Sequence, residues 1–167
     1  MSPRMSKSSR HSMITGRFGE SLVLYWLSKH GFECASVDHT GIDLIARNPV
    51  TAELMGISVK SRSRNVGKEE TDVTIGRDEL DKAQAACNAF GCDPYFAIVV
   101  DARDTIRCFM VGMAHLTEPY GRRRRSFSWK MSPRALETYY DDPEVIVFEF
   151  QHRTIRWWKE GARARKT

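Results

Sequence analysis

Apolar residues first recur at helical spacing: Phe18, Leu22 and Tyr25 or Trp26 fall on one face, with Thr15 placed as an N-cap and Gly31 as the stop. That pattern predicts a helix from about Gly16 to His30. The period then changes to that of extended chain. Phe32 to Val37, Ile42 to Arg47 and Glu53 to Arg62 read as three strands, with Asn48-Pro49 turning the second into the third, so the segment predicts an antiparallel meander. Ser63 to Thr74 is polar and without periodicity, and reads as a loop. From Arg77 to Phe90 the helical stripe returns as Leu80, Ala83, Cys87 and Phe90, ended by Gly91. The continuous apolar run Tyr95 to Val100 then predicts a central strand buried on both faces, which makes the preceding helix a crossover. Ile106 to Val111 can pair with it through the turn at Ala102 to Thr105; a short helix at Pro133 to Tyr140 and a strand at Val145 to Phe150 follow.

These elements predict an α/β fold in the order helix, three strands, helix, strand, with a mixed central sheet flanked by helices. The chain of 167 residues suffices for one domain with a sizeable core. Residues 14–152 are expected to form it, with a flexible basic arm at 1–13 and a basic, aromatic tail at 153–167 that carries Trp157 and Trp158. No run of eighteen apolar residues and no apolar leader occurs, so the expected location is the cytoplasm, away from membranes.

Charge adds a partner class to this picture. The formal net charge is +5, and the cations cluster in the N-terminal arm, at Lys60 to Arg64, at Arg122 to Arg125 and at the C-terminus. Such clusters can track a phosphate backbone, although basic termini are as often simply disordered. The four cysteines, Cys34, Cys87, Cys92 and Cys108, show no pairing at zinc-ligand spacing, and the five histidines form no ligand pattern, so reduced thiols and no zinc or iron-sulfur centre are expected.

Candidate chemistry concentrates in Gly41-Ile42-Asp43-Leu44-Ile45-Ala46 and Gly56-Ile57-Ser58-Val59-Lys60. Side chains alternate along a strand, so Ser58 and Lys60 share one face while Ile57 and Val59 point into a core. In the second strand Ile42, Leu44 and Ala46 are expected to form the apolar set and Asp43 the opposite face. Glu20 lies in the second turn of the first helix. An acid and a lysine on adjoining strands suit phosphodiester hydrolysis, although such a pair is also ordinary on an exposed strand face. That reaction needs a divalent cation on hard oxygen ligands, a nucleophilic water and positive charge opposite the developing phosphorane.

The order of elements, with Gly19-Glu20, Asp43, and Ser58-Val59-Lys60, resembles the PD-(D/E)XK nuclease superfamily. Its closest likeness is to branches similar to archaeal Holliday-junction resolvases and Mrr-type restriction enzymes. The resemblance runs from Thr15 to Val111 and implies a restriction-endonuclease-like core over 15–111 with a C-terminal extension. It implies a Mg²⁺- or Mn²⁺-dependent nuclease acting on nucleic acid, with DNA the expected substrate, and a possible homodimer, since cutting two strands needs two centres. Catalytic positions would be Asp43, Lys60, Glu20 and Ser58; the metal would be held by Asp43, Glu20 and the carbonyl of Val59. Ser58 departs from the family, which places Glu or Gln there, and an uncharged hydroxyl is a weaker metal ligand. Either another acid is recruited, with Glu69 or Glu70 of the following loop within reach, or the chain is a weakened or inactive nuclease-fold module that binds nucleic acid or a partner protein.

Around this centre Ser61, Arg62 and Arg64 are candidates for flanking phosphates. Gln84, and after it Lys82, on the second helix can face the site or simply be solvated. The run Arg122, Arg123, Arg124 and Arg125 near Tyr120, Phe127 and Trp129 can clamp nucleic acid by stacking, or be a solvated loop.

Overall fold

The computed structural model describes residues 6–118 and 125–156. Helix α1 spans His11–Lys29 and leads into the meander β1 (Glu33–His39), β2 (Ile42–Arg47) and β3 (Leu54–Ser63). A short strand β4 (Val73–Gly76) precedes helix α2 (Arg77–Phe90), and β5 (Asp93–Ala102) and β6 (Thr105–Gly112) form the next hairpin. Helix α3 (Met113–Thr117), β7 (Ser126–Trp129), α4 (Pro133–Asp141) and β8 (Val145–Gln151) complete the described chain.

Six strands form one sheet in the order β1-β2-β3-β5-β6-β8, and β4 pairs with β7 in a second, two-stranded sheet. Among the described strands only the β3–β5 pairing is parallel, with Ser58 beside Phe96 and Lys60 beside Ile98. A parallel pair needs a crossover, and α2 supplies it. β5 is consequently covered on both faces. Ala97 and Val99 pack with Val23 and Leu27 of α1, whereas Phe96, Ile98 and Val100 pack with Leu80 and Ala83 of α2. Ser58 and Lys60, in register with the second set, therefore face α2. Val59 packs against the α1 cluster, and Ser61, in register with Val99, shares its face.

Three local differences from the sequence pattern bear on the site. Helix α1 begins at His11, inside the stretch read as an arm: the carbonyl of Ser8 accepts the N–H of His11 at 2.9 Å and starts the first turn before Thr15. Thr15 is therefore no cap; its hydroxyl donates to the carbonyl of His11 within the helix. In β2 the apolar residues do not share one face. Ile42 packs with Ala86 and Cys87 of α2, while Leu44 and Ala46 pack with Val23 and Leu27 of α1. The β1–β2 register shifts between Ser36 and His39, and such an irregularity bends and twists the ladder locally, here beside Asp43. Finally, Phe127 and Trp129 are only 1% and 6% exposed and close the α2-side core with β4, so they are not free to stack on bases. No helix among the described residues is long and apolar enough to cross a membrane.

Candidate active site

The backbone ladder between β2 and β3 ends at Leu44 and Ile57. Beyond that pair the inner edge of β3 has no strand partner among the described residues, and the side chain of Asp43 fills the place: its Oδ2 accepts the N–H of Val59 at 2.7 Å. In an extended strand the N–H and C=O of one residue point the same way. The Val59 carbonyl therefore also faces the gap that Asp43 spans.

Two close approaches of the backbone bring the elements here. A methyl group on Gly19 would overlap the hydroxyl of Ser61, so the glycine lets α1 lie directly on β3. Gly41, at φ +102°, turns β1 into β2 against the carbonyl of Lys82 in α2, where a side chain would again overlap. The next residue but one is Asp43.

Glu20 follows Gly19 and comes close enough to Asp43 for the two charges to repel. Burial first, and then Asp43, push the Glu20 carboxyl above its ordinary range, with Arg17 pulling the other way. A Glu20 carboxyl pushed up by burial and by the charge of Asp43 marks a place where a cation would relieve the repulsion. From the α2 side Lys60 donates to Oε1 of Glu79 at 2.5 Å, and Oε2 of the same carboxylate accepts the N–H of Gly76 at 2.7 Å. Burial would raise the Glu79 carboxyl, but the hydrogen bonds from Lys60 and Gly76 and the lysine charge outweigh it and hold it below the usual carboxylate range. Glu79 is thus the ionised acid beside Lys60, and Ser58, 4% exposed, lies two residues back on the same strand face.

The predicted site residues thus divide into groups. Asp43, the backbone of Val59 and Glu20 form one cluster, and Ser58, Lys60 and Glu79 adjoin it from the other side of β3. Among the described residues no three histidine, cysteine or carboxylate side chains close into a ready-made cation cage. Hard oxygens from Asp43, Glu20 and the Val59 carbonyl suit Mg²⁺ in kind, and such an ion keeps several waters of its own.

Other candidates lie elsewhere. Glu69 pairs with Arg103 at 3.0 Å across the loop. Arg64 donates to the carbonyls of Thr71 and Asp72 at 3.0 and 2.9 Å, so its guanidinium braces the loop after β3. Gln84 donates to Asn88 and lines a cavity of about 1230 Å³ between α2, the start of β5 and α3. Lys82 pairs with Asp78 on the exposed face of α2. Arg62 is exposed at the end of β3. Arg125 is exposed and its carbonyl accepts the N–H of Arg77; Arg122, Arg123, Arg124 and Trp157 and Trp158 lie outside the described residues.

Glu79 was missed by sequence reasoning because an acid in the first turn of a helix is accounted for by the backbone N–H groups there. The available signal was the conjunction of an uncharged Ser58 with an acid at the entrance of the crossover helix.

No protein-family model matches the chain, and no curated protein does. Among solved structures the chain is similar to Hjc of Archaeoglobus fulgidus, a Holliday junction resolvase from an archaeal hyperthermophile, with a TM-score of 0.52 and 20% identity. The match covers 74% of this chain and 88% of that one. The shared feature is the fold: a mixed α/β, restriction-endonuclease-like core with a mostly antiparallel central sheet flanked by helices.

Proposed function

We propose that the protein is a metal-dependent nuclease that hydrolyses phosphodiester bonds, in DNA, by attack of an activated water. The observation that carries the reading is Asp43 fixed on the Val59 N–H, with Glu20 against it on one side and the Lys60–Glu79 pair on the other. The Hjc resolvase, a nuclease of the same fold, supports it.

In this reading Asp43 and Glu20 hold a divalent ion, with the Val59 carbonyl as a further oxygen donor. The ion, when bound, would polarise the phosphate and favour ionisation of the attacking water. The chain's own residues do the rest. The Val59 N–H holds the Asp43 carboxylate in one orientation, leaving its second oxygen for a ligand. Lys60, aimed by Glu79, presents ammonium protons to the water and to the non-bridging phosphate oxygens where negative charge grows. Glu79 supplies beside Lys60 the carboxylate that Ser58 cannot, reaching the same place from α2.

The same Lys60–Glu79 contact favours a second reading. A lysine committed to a carboxylate is less available to substrate, as expected of a nuclease fold that now binds nucleic acid or a partner without cutting. A titration of Mg²⁺ and Mn²⁺ on linear, branched, single-stranded and supercoiled DNA separates the two. Cleavage that is lost in Asp43→Ala supports the enzyme; salt-sensitive binding, indifferent to chelator and to Asp43→Ala, with no cleavage of any form supports the binding module.

A further inference from the structure

A second polar cavity, of about 490 Å³, opens on the α1 side of β3, where the strand continues past Lys60. Lys7, His11, Ser12, Thr15, Ser61 and Arg62 line it, with further serines and no acidic residue among those described. The first turn of α1, on its wall, carries no acid either. Two atoms of the lining residues, His11 Nε2 and Ser61 Oγ, are buried beside it with no hydrogen-bond partner among the described residues, an expensive condition for polar groups. The cations are held by main chain and not by carboxylates: Lys7 Nζ donates to the Ser63 carbonyl at 2.6 Å, and Arg62 donates to the Ser61 carbonyl at 2.8 Å. Among the described residues no carboxylate pairs with either cation, so the cavity presents hydroxyls and cations without an acidic partner there.

We propose that this cavity takes one phosphate of the nucleic-acid strand, flanking the bond that lies at Asp43 and Lys60. The inference rests on the nuclease-site reading and adds to it the direction of the strand: from the gap between β2 and β3, past Ser61, to the start of α1. Ser61 links the two places, because it directly follows Lys60 while its hydroxyl lies under Gly19 on the α1 face. The chemistry selected is a tetrahedral oxyanion with at least two free oxygens, bound by Lys7 and Arg62 and by the Ser12 hydroxyl.

The test uses the full chain in two measurements. First, inorganic phosphate is titrated while backbone amide resonances are followed by NMR. Saturable shifts at Ser12, Thr15 and Ser61, abolished in the Lys7→Ala, Arg62→Ala double variant, are expected; no saturable shift overturns the proposal. Second, binding of a fluorescent DNA duplex is measured by anisotropy in the Asp43→Ala background, with single neutral methylphosphonate linkages placed along one strand. One linkage should weaken binding by roughly tenfold, and by less than about twofold once Lys7 and Arg62 are also replaced, with the salt slope lowered by about 2. Lys29→Ala, at the far end of α1, should leave the pattern unchanged. Additive losses at every position, or no DNA binding, overturn it. Because this background lacks Asp43, failure of cleavage by the wild type counts against the nuclease reading alone, and lack of coupling counts against the cavity alone.

Discussion

The carboxylate of Asp43 accepts the main-chain N–H of Val59 at 2.7 Å, at the point where β2 and β3 cease to pair and one residue before Lys60. One contact thereby ends the ladder, fixes the orientation of an acid, and sets its distance from the lysine through the covalent chain. It also gives Asp43 a structural role beside the chemical one proposed for it, and the two roles respond differently to substitution.

Asp43→Asn keeps an oxygen acceptor for the Val59 N–H, whereas Asp43→Ala leaves that donor unpaired at a loss of about 1–3 kcal/mol, towards the lower end because the site is part-open to water. Both changes remove the charge that, in the proposed mechanism, would hold a cation. Cleavage in Mg²⁺ should therefore fall by about 10²-fold or more in both, while urea unfolding shows a clear loss of stability in the alanine variant only. An asparagine variant that cuts as fast as wild type would place the chemistry elsewhere.

The close approach of α1 to β3 makes a second expectation. Gly19→Ala drives a methyl group into the Ser61 hydroxyl, overpacking that costs about 1–3 kcal/mol, or roughly 2–12 °C in Tm. Gly41→Ala adds a left-handed backbone to its overlap with the Lys82 carbonyl and should cost more. Gly16, in the same helix as Gly19, has nothing within 4 Å of a added methyl group, so Gly16→Ala should stabilise by about 0.5–1 kcal/mol. Thermal unfolding of the three variants reads the signs directly; equal effects at positions 16 and 19 would refute tight packing at Ser61.

Long periodic segments were readable because their pattern is local. β2 and α2 lie where the spacing puts them, and the alternation of Ser58 and Lys60 follows from the strand itself. β4 and β7 escaped because each is four residues long and pairs with a partner some fifty residues away, so little in either segment announces a strand. The face of Ile42 depended on a register shift in the neighbouring strand, which no single-strand pattern contains. Glu79 was hidden for a related reason: its partner Lys60 precedes it by nineteen residues and a loop, and the loop's closure, braced by Arg64 on Thr71 and Asp72, decides that they meet.

Stability should carry a pH signature from the other end of the sheet. His115 of α3 is bonded through Nε2 to Asp142 at the end of α4, at 2.7 Å. The hydrogen bond to Asp142 is the main cause that raises His115 above 6.5, against burial and aided by the charges of Asp142, Glu118 and Glu144. The same bond lowers Asp142 below 3.8. A raised histidine contributes fully below its unfolded value and loses its contribution as pH rises through the folded one; the lowered carboxyl contributes above its unfolded value and loses it as pH falls. The pair is therefore at full strength from about pH 4 to 6.5. Both groups are part-exposed, so the effect is about 0.5 kcal/mol. The Tm difference between wild type and His115→Ala should be larger at pH 5.5 than at pH 8.5; an equal difference would reduce the contact to packing.

The exchange of acid between positions 58 and 79 is the sharpest test of the site. Glu79→Gln keeps the shape and an acceptor for the Gly76 N–H but removes the charge beside Lys60, and should lower cleavage by about 10²-fold while shifting stability by no more than about 1 kcal/mol. If Glu79 stands in for the acid missing at Ser58, then Ser58→Glu in the Glu79→Gln background should restore at least about tenfold of that loss, because positions 58 and 60 lie on one face of β3. Ser58→Glu alone should not help. It would crowd a second carboxylate against Lys60 at a position only 4% exposed, where an ionised group loses its hydration and must find a partner already taken by Glu79. Cleavage rates of the four proteins close the cycle. Independent effects at the two positions would leave Glu79 as a brace for Lys60 and no more; compensation would establish that α2 delivers to this centre the charge that β3 lacks.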